Sequence, residues 1–314
     1  MNINPLNQIK IQTPPNPLRP DILCPYCLKE LHSKDITVRC NICGTEAPTP
    51  KSGKEMIWSK IPINKVQKCG CGGIFNVREC GHCTEKLPSD ILEYKKYLRF
   101  SILGITGSGK TNFLTTMLHE LRSTTNSPWV LSAMDTATME TFQENDEDIY
   151  VRRQPVPATS AGIAPRPQLW RIKDRSKMTN NTIPSYSLTI FDGAGEDCEH
   201  INPVISRYIN GSKSLIILFD PLALPSVARE LSKNAPDILN WSTTTSHNSN
   251  ASTDMVNGLV DYIRQSCGIS TNKLIDKDVA VVFTKMDALK DFEENFGIGK
   301  VMQPSIMFLK SLCK

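Results

Sequence analysis

The sequence predicts an α/β domain with a mainly parallel β-sheet, preceded by two small cysteine-rich modules. From about residue 99 onward, short aliphatic runs bounded by turn residues alternate with amphipathic segments. A glycine-rich turn also links the first of these runs to the first amphipathic segment. Strands that alternate with helices form a mainly parallel sheet with helices on both faces. Four close cysteine pairs between Cys24 and Cys83 predict the modules.

The predicted strands are short apolar or alternating segments, and the predicted helices have apolar positions three or four residues apart. The strands cover 99–103, 129–133, 168–173, 185–191, 215–219 and 279–283, and the helices cover 110–122, 137–148 and 255–267.

The remaining segments set the domain boundaries at 21–88 for the cysteine-rich region and 99–314 for the α/β domain. Residues 1–20 contain five prolines and are predicted to be a flexible tail. Residues 89–98 are predicted to be a short helical connector. Residues 242–253 contain eight Ser or Thr and are predicted to be a disordered insertion.

Composition is typical of a globular protein, and the cysteine usage is typical of a reducing compartment. The 314 residues suggest about two domains of ~150 residues. The longest aliphatic run is far shorter than the ~20 residues of a membrane span, and the N-terminus has no signal-peptide pattern. Close cysteine pairs in such a chain are typical of metal ligands, so we predict a cytoplasmic location.

The cysteine pairs predict two structural zinc ions. Two thiolate pairs complete one tetrahedral Zn²⁺ site, and such all-cysteine sites are closed. Sequential pairing gives zinc ribbons at 24–43 and 69–83; a cross-brace, which pairs first with third and second with fourth, is the alternative. Disulfides are a weaker alternative. The eight predicted ligands are Cys24, Cys27, Cys40, Cys43, Cys69, Cys71, Cys80 and Cys83.

The glycine-rich turn has the composition of a phosphate-binding loop. Its backbone N–H groups would cradle phosphate oxygens at the N-terminus of the following helix. Lys110 would reach the β- and γ-phosphates, and Thr111 would bind Mg²⁺. A chance glycine-rich turn is the alternative, but the strand before it and the helix after it favour nucleotide binding. The predicted phosphate-binding residues are Gly104, Thr106, Gly107, Ser108, Gly109, Lys110 and Thr111.

Two further motifs follow predicted strands. Asp192 and Gly195 form a DxxG motif after 185–191; Asp192 would hold Mg²⁺, and Gly195 would bring its N–H to the γ-phosphate. DxxG alone is a weak signal, since it also occurs in ordinary turns. The TKxD motif described next is also weak alone, because an aspartate often caps a helix.

The last motif predicts the base. Thr284, Lys285 and Asp287 form TKxD after 279–283. Asp287 would accept two hydrogen bonds from the guanine N1–H and amino group, which adenine lacks, and the Lys285 stem would cover the ring. Because the three motifs occur in order, each at a strand end, we predict binding of GTP or GDP with Mg²⁺.

Over residues 99–314 these motifs resemble P-loop GTPases of the translation-factor and Ras-related class. With its zinc modules and its extra strand and helix, the chain is most similar to bacterial double-GTPase-like proteins. The resemblance implies a Ras-like sheet and two switch segments, and several such proteins belong to multi-component bacterial systems. The implied first-switch residue is Thr159, with Ser160 the second choice and an ordinary loop threonine the alternative.

Three departures from the family are visible. Glu196 stands where Ras-like enzymes place a water-orienting Gln, and Thr106 replaces a glycine in the phosphate loop, so we predict slow GTP hydrolysis. The predicted catalytic residues are Lys110, Thr159 and Glu196. Only 27 residues follow Asp287, without a Ser-Ala loop, so the last strand is predicted to be missing from a truncated chain.

The leading functional prediction is a regulatory GTPase whose zinc ribbons and switch segments bind a protein partner. A nucleic-acid adaptor with a GTPase switch is less favoured: residues 1–99 hold 15 basic and 9 acidic side chains, but two zinc ions on eight thiolates would lower this excess. The region also has few aromatic residues. A nucleotide-binding scaffold without turnover is the third possibility.

Overall fold

The structure is a computed structural model and forms two compact units. One is made by Met1–Cys24 and Lys29–Leu87, and the other by Pro25–Leu28 and Pro88–Lys314. The residues described are 22–31, 35–48, 68–91, 94, 96–125, 127–158, 166–179, 183–199, 203–234, 236–239, 251–275 and 277–289. Within these ranges, no helix has the length and apolar character needed to cross a membrane.

The first unit contains a three-stranded antiparallel sheet in the order β1-β2-β3. Its strands are β1 (Ile36–Cys40), β2 (Phe75–Cys80) and β3 (Lys86–Leu87). Ile36 lies opposite Cys80, and Cys40 lies opposite Phe75. The two ends of the β1–β2 ladder therefore each carry one cysteine that belongs to a cysteine pair.

The second unit contains a six-stranded sheet in the order β5-β6-β7-β4-β8-β9. Strand β7 is parallel to β4, β4 to β8, and β8 to β9, whereas β6 is antiparallel to both of its neighbours. The predicted α/β class with a mainly parallel sheet is therefore confirmed. The strands are β4 (Lys96–Leu103), β5 (Trp129–Ala133), β6 (Gln168–Asp174), β7 (Ser185–Asp192), β8 (Ser214–Phe219) and β9 (Asp278–Phe283).

Helices cover both faces of this sheet. The helices are α1 (Lys110–Ser123), α2 (Thr136–Tyr150), α3 (Gly195–Glu199), α4 (Pro203–Gly211), α5 (Pro225–Asn234), α6 (Pro236–Leu239) and α7 (Ala251–Cys267). Helices α1 and α2 pack on one face, while α3, α4, α5 and α7 contribute to the core on the other.

Adjacent strand residues explain why both faces are apolar. Ile102 packs under α1, whereas its neighbour Leu103 belongs to the core of the opposite face. In the same way, Leu218 packs on the α1 face and Phe219 belongs to the core of the opposite face. Successive side chains of a strand point to opposite faces, so a central strand covered on both sides is apolar throughout.

The predicted strands lie within three residues of those observed, but two predictions at segment boundaries are wrong. The helical connector over 89–98 is wrong, because residues 89–91 form a turn and Lys96 already begins β4. The insertion over 242–253 overlaps α7, which begins at Ala251 and has Asp254 in its first turn, where a negative charge favours a helix N-terminus. The rest of that insertion, the tail over 1–20 and the C-terminal residues from 290 lie outside the described residues.

Candidate nucleotide site and cysteine clusters

The loop that is predicted to bind phosphate, residues 104–109 and called the phosphate loop below, connects the end of β4 to the start of α1. Lys110 is 8% exposed, and its Nζ donates to the carbonyl oxygens of Gly104 at 2.8 Å and Ile105 at 3.3 Å. The lysine therefore lies folded over its own loop, with its ammonium group held by backbone carbonyls.

Glycine is required at specific positions of this loop. Gly107 and Gly109 have φ values of 75° and 81°, a left-handed conformation that side chains with a Cβ rarely adopt. At Gly104, a Cβ would lie 2.5 Å from Ser108 Oγ and 2.9 Å from the Leu218 carbonyl oxygen. The start of the loop is therefore packed tightly against Ser108 and the end of β8.

Asp192 ends β7 beside the first turn of α1. Thr111 Oγ1 donates to Asp192 Oδ2 at 2.9 Å. Asp192 Oδ1 is buried and makes no hydrogen bond within the described part of the chain, as is also true of Ser108 Oγ. Burial raises the pKa of Asp192, against the opposing effects of the Thr111 hydroxyl and the Lys110 charge. A buried carboxylate oxygen beside a hydroxyl fits a divalent cation.

Gly195 begins α3 against the phosphate loop. A Cβ at this position would lie 2.4 Å from Thr106 Cα and 2.5 Å from the Thr106 backbone nitrogen. These contacts involve the main chain, which cannot move aside as a flexible side chain can. The DxxG glycine is thus needed for the close approach of two backbones.

The TKxD segment follows β9 and also reaches the phosphate loop. Thr284 Oγ1 donates to the Ser108 carbonyl oxygen at 2.8 Å, and Thr284 N–H donates to the Phe219 carbonyl oxygen at 2.9 Å. Asp287 is exposed in a short 3-10 turn over Met286–Leu289. The threonine therefore links the two predicted motifs directly, while the aspartate side chain stays accessible.

Asp220 is a residue that the sequence analysis missed. It follows β8 directly, has 0% exposure and lies 2.7 Å from Lys285 Nζ. A signal was present, because an acidic residue immediately after the aliphatic run 214–219 repeats the pattern of Asp192 after β7.

Some predicted residues are not brought into this site by the described structure. Thr159 and Ser160 lie outside the described residues, and for Glu196 only the backbone, within α3, is described.

The eight cysteines form two tetrads. One contains Cys24, Cys27, Cys80 and Cys83, and the other contains Cys40, Cys43, Cys69 and Cys71; within each, the sulfur atoms lie within 4.8 Å of one another.

The sulfur separations fit a zinc ion. A tetrahedral site with Zn–S distances of about 2.3 Å implies sulfur atoms roughly 3.8 Å apart. The separations are 3.7 Å for Cys24–Cys83, 3.6 Å for Cys43–Cys69 and 3.5 Å for Cys40–Cys71. The Cys43 backbone N–H also lowers the pKa of Cys40, which favours the thiolate that binds metal. Both tetrads could hold zinc.

The predicted pairing is wrong, because the tetrads are nested: the first pair joins the fourth, and the second joins the third. Neither sequential ribbons over 24–43 and 69–83 nor a cross-brace has this arrangement. The reason is the antiparallel β1–β2 ladder, which places Cys40 beside the start of β2 and Cys80 at the opposite end.

Comparison with models of known protein families found no match for this chain, and a search of curated proteins found no significant match.

Proposed function

We propose that this protein is a regulatory GTPase of the Ras-like P-loop class that binds Mg-GTP and carries two zinc ions. The observation that carries the proposal is the meeting of three motifs at the carboxyl edge of the sheet. Asp192 bonds to Thr111, and Thr284 bonds to the loop carbonyl of Ser108. Ligands of open α/β sheets bind at this edge.

The phosphate loop supports a nucleotide ligand. Its left-handed glycines at 107 and 109 orient the backbone ahead of α1, whose N-terminus favours a negative charge. Lys110 is held by neutral carbonyls. Phosphate oxygens would offer the ammonium group a charged partner in place of these carbonyls, which makes the bond stronger.

Magnesium is supported by the acceptor left over at Asp192. The Thr111 hydroxyl and the Asp192 carboxylate would hold the ion, which would neutralise charge on the bound phosphates. The buried Oδ1 of Asp192 would then gain a partner.

Guanine is supported by the position of the TKxD motif. Asp287 is exposed, while Thr284 fixes the same segment to the phosphate loop. A carboxylate here would accept from two guanine donors, whereas adenine presents an acceptor at this edge and would leave the charge unmatched.

The cysteine tetrads support a second role outside nucleotide chemistry. Closed all-cysteine sites leave no position for a substrate, so their zinc ions would be structural. We infer that the zinc-bound sheet and the switch segments bind a protein partner, and that GTP controls this binding.

Base choice tests the proposal. Equilibrium titration with fluorescent GTP and GDP analogues, competed by GTP, GDP and ATP, should show that guanine nucleotides bind at least tenfold more tightly. Asp287→Ala should weaken GTP binding about 100-fold, because two guanine donors lose a charged acceptor. Asp287→Asn should shift the preference toward xanthosine nucleotides. Equal competition by ATP in the unmodified protein would contradict the proposal.

A further inference from the structure

Two contacts of the buried Asp220 carboxylate have different purposes. Its Oδ1 accepts a 2.9 Å hydrogen bond from the backbone N–H of Leu222, which caps a short 3-10 turn after β8. Its Oδ2 accepts from Lys285 Nζ at 2.7 Å. The first contact is local, but the second joins two segments that follow neighbouring strands, β8 and β9.

Lys285 is held in an unusual conformation. Its backbone φ is 52°, in the left-handed region that non-glycine residues rarely adopt. The surrounding bonds fix this conformation: Thr284 N–H donates to Phe219, and Ala288 N–H donates to the Lys285 carbonyl oxygen at 3.2 Å. Such strain persists where the surrounding structure imposes it, and it concentrates at binding sites.

The side chain of Lys285 is fixed at its far end as well. Its side chain is 23% exposed, and its ammonium group meets a carboxylate with 0% side-chain exposure. With the backbone and the ammonium both fixed, the alkyl stem between them has few conformations left. A flexible lysine would lose this freedom only when a ligand binds, at a cost to affinity.

We propose that Asp220 is a positioning residue for the nucleotide base. It anchors the Lys285 ammonium so that the alkyl stem forms a preordered wall for the purine ring. The inference rests on the proposed function, since it assigns the ring to the TKxD segment. It also separates two parts of the ligand: Asp220 supports the base, while Lys110 and the loop glycines hold the phosphates.

Asp220→Asn tests this role. Asparagine keeps an oxygen for the Leu222 N–H but loses the charge that holds Lys285. We expect GTP and GDP affinity to fall up to about tenfold, because the freed Lys285 side chain would then be ordered only when the ligand binds. The affinity for inorganic tripolyphosphate with Mg²⁺, measured by competition, should stay unchanged because this ligand has no base. An equal loss for tripolyphosphate would overturn the inference, because a merely structural role would affect both ligands.

A double-mutant cycle with Lys285→Met gives the second readout. If Asp220 acts through Lys285, the double variant should bind GDP no more weakly than Lys285→Met alone. Independent, additive losses would overturn the inference. Thermal unfolding and zinc content establish that each variant is folded.

A second pair of variants serves if Asp220→Asn does not fold. Lys285→Arg keeps a cation opposite Asp220 and should retain GDP affinity within about threefold, whereas Lys285→Met should lose about tenfold. Equal losses for both would overturn the inference. If the unmodified protein shows no preference for GTP over ATP, the proposed function fails first; if that preference holds and Asp220→Asn binds GDP normally, only the role of Asp220 fails.

Discussion

Thr111 Oγ1 donates a 2.9 Å hydrogen bond to Asp192 Oδ2 and thereby ties the first turn of α1 to the end of β7. The other oxygen of this carboxylate is buried without a hydrogen bond among the described residues. Burial raises the pKa of Asp192, so the ionised form is disfavoured in the folded protein when no cation is present. The Asp192 carboxylate is therefore suited to bind a cation, but it lowers the stability of the fold when no cation is bound.

Asp192→Asn should separate the effect of the buried carboxylate on stability from its role in cation binding. Burial disfavours a charge at this position, and asparagine carries none while it can still accept from Thr111. We expect the melting temperature without nucleotide to rise by about 2–4 °C, which corresponds to roughly 1 kcal/mol in a domain of this size. Calorimetry in magnesium-free buffer that leaves zinc bound measures this shift.

The same variant should lose the magnesium dependence of GTP binding. Titrations with and without Mg²⁺ should differ strongly for the unmodified protein and little for Asp192→Asn. Thr111→Ser, which keeps the hydroxyl, is the matched control and should behave like the unmodified protein. A lower melting temperature together with an unchanged magnesium effect would contradict the assignment.

Zinc content distinguishes the three ways of pairing the cysteines. We expect two Zn²⁺ per chain in the unmodified protein. The double variant Cys24→Ser/Cys80→Ser removes two ligands of one tetrad and should retain one zinc. Sequential or cross-braced pairing would place these cysteines in different sites, and both ions would then be lost. Metal analysis by mass spectrometry gives the count directly.

A matched control completes the zinc experiment. Cys24→Ser/Cys40→Ser affects both tetrads and should lose both ions, although sequential pairing predicts the loss of only one. Each lost zinc removes folding free energy on the order of 10 kcal/mol, so local unfolding should accompany the loss. Disulfides in place of zinc would refute both metal sites.

Gly195→Ala should disturb the phosphate loop. The added Cβ would lie 2.4 Å from Thr106 Cα, so the backbones at residues 106 and 195 must move apart. We expect GTP affinity to fall at least tenfold. Gly70→Ala is the control, because a Cβ there meets nothing within 4 Å, and its φ lies outside the left-handed region. Normal GTP binding by Gly195→Ala would show that this close approach is dispensable.

Turnover by the isolated protein should be slow, well below one GTP per second. In the proposed Ras-like arrangement, Glu196 would stand where a glutamine orients the attacking water, and its charge would oppose the phosphate. An arginine supplied by a partner or a second copy could accelerate hydrolysis about 10³–10⁵-fold. Phosphate release under saturating GTP measures the rate, and Glu196→Ala should leave GTP affinity nearly unchanged. Several turnovers per second that vanish in Glu196→Ala would instead make Glu196 a working catalytic residue.

The sequence predicted the central strands of the sheet well because they are covered on both faces. The run 215–219 is apolar at every position, and 185–190 alternates Ser or Thr with larger apolar or aromatic residues; both patterns are typical of short strands. The region 89–98 was predicted less well because Tyr94 and Tyr97 suit a helix or a strand equally. Their placement depends on pairing, since Tyr97 joins β4 opposite Ser187.

The candidate site was predictable where a motif lies next to its own strand. Lys110, Asp192 and Asp287 were predicted in this way. The link between Asp220 and Lys285 spans 65 residues and depends on β8 lying beside β9, which no local pattern reveals. The prediction of which cysteine pairs share a metal site failed for the same reason. Any two pairs can complete a tetrahedron, and only the β1–β2 ladder decides which pairs meet.

With zinc bound as we propose, the nested tetrads imply an order of assembly for the three-stranded sheet. The inner tetrad joins cysteines 26 residues apart, Cys43 and Cys69, whereas the outer tetrad joins Cys24 and Cys83 across 59 residues. The shorter loop loses less chain entropy on closing, by somewhat under 1 kcal/mol. Once a metal ion in the inner tetrad holds β1 against β2, Cys80 lies closer to the other outer cysteines. The loop that the outer tetrad must then close is much shorter. Metal binding should therefore be cooperative and ordered. The inner tetrad should bind its ion first, and the outer ion should then stabilise a β1–β2 ladder that has already formed.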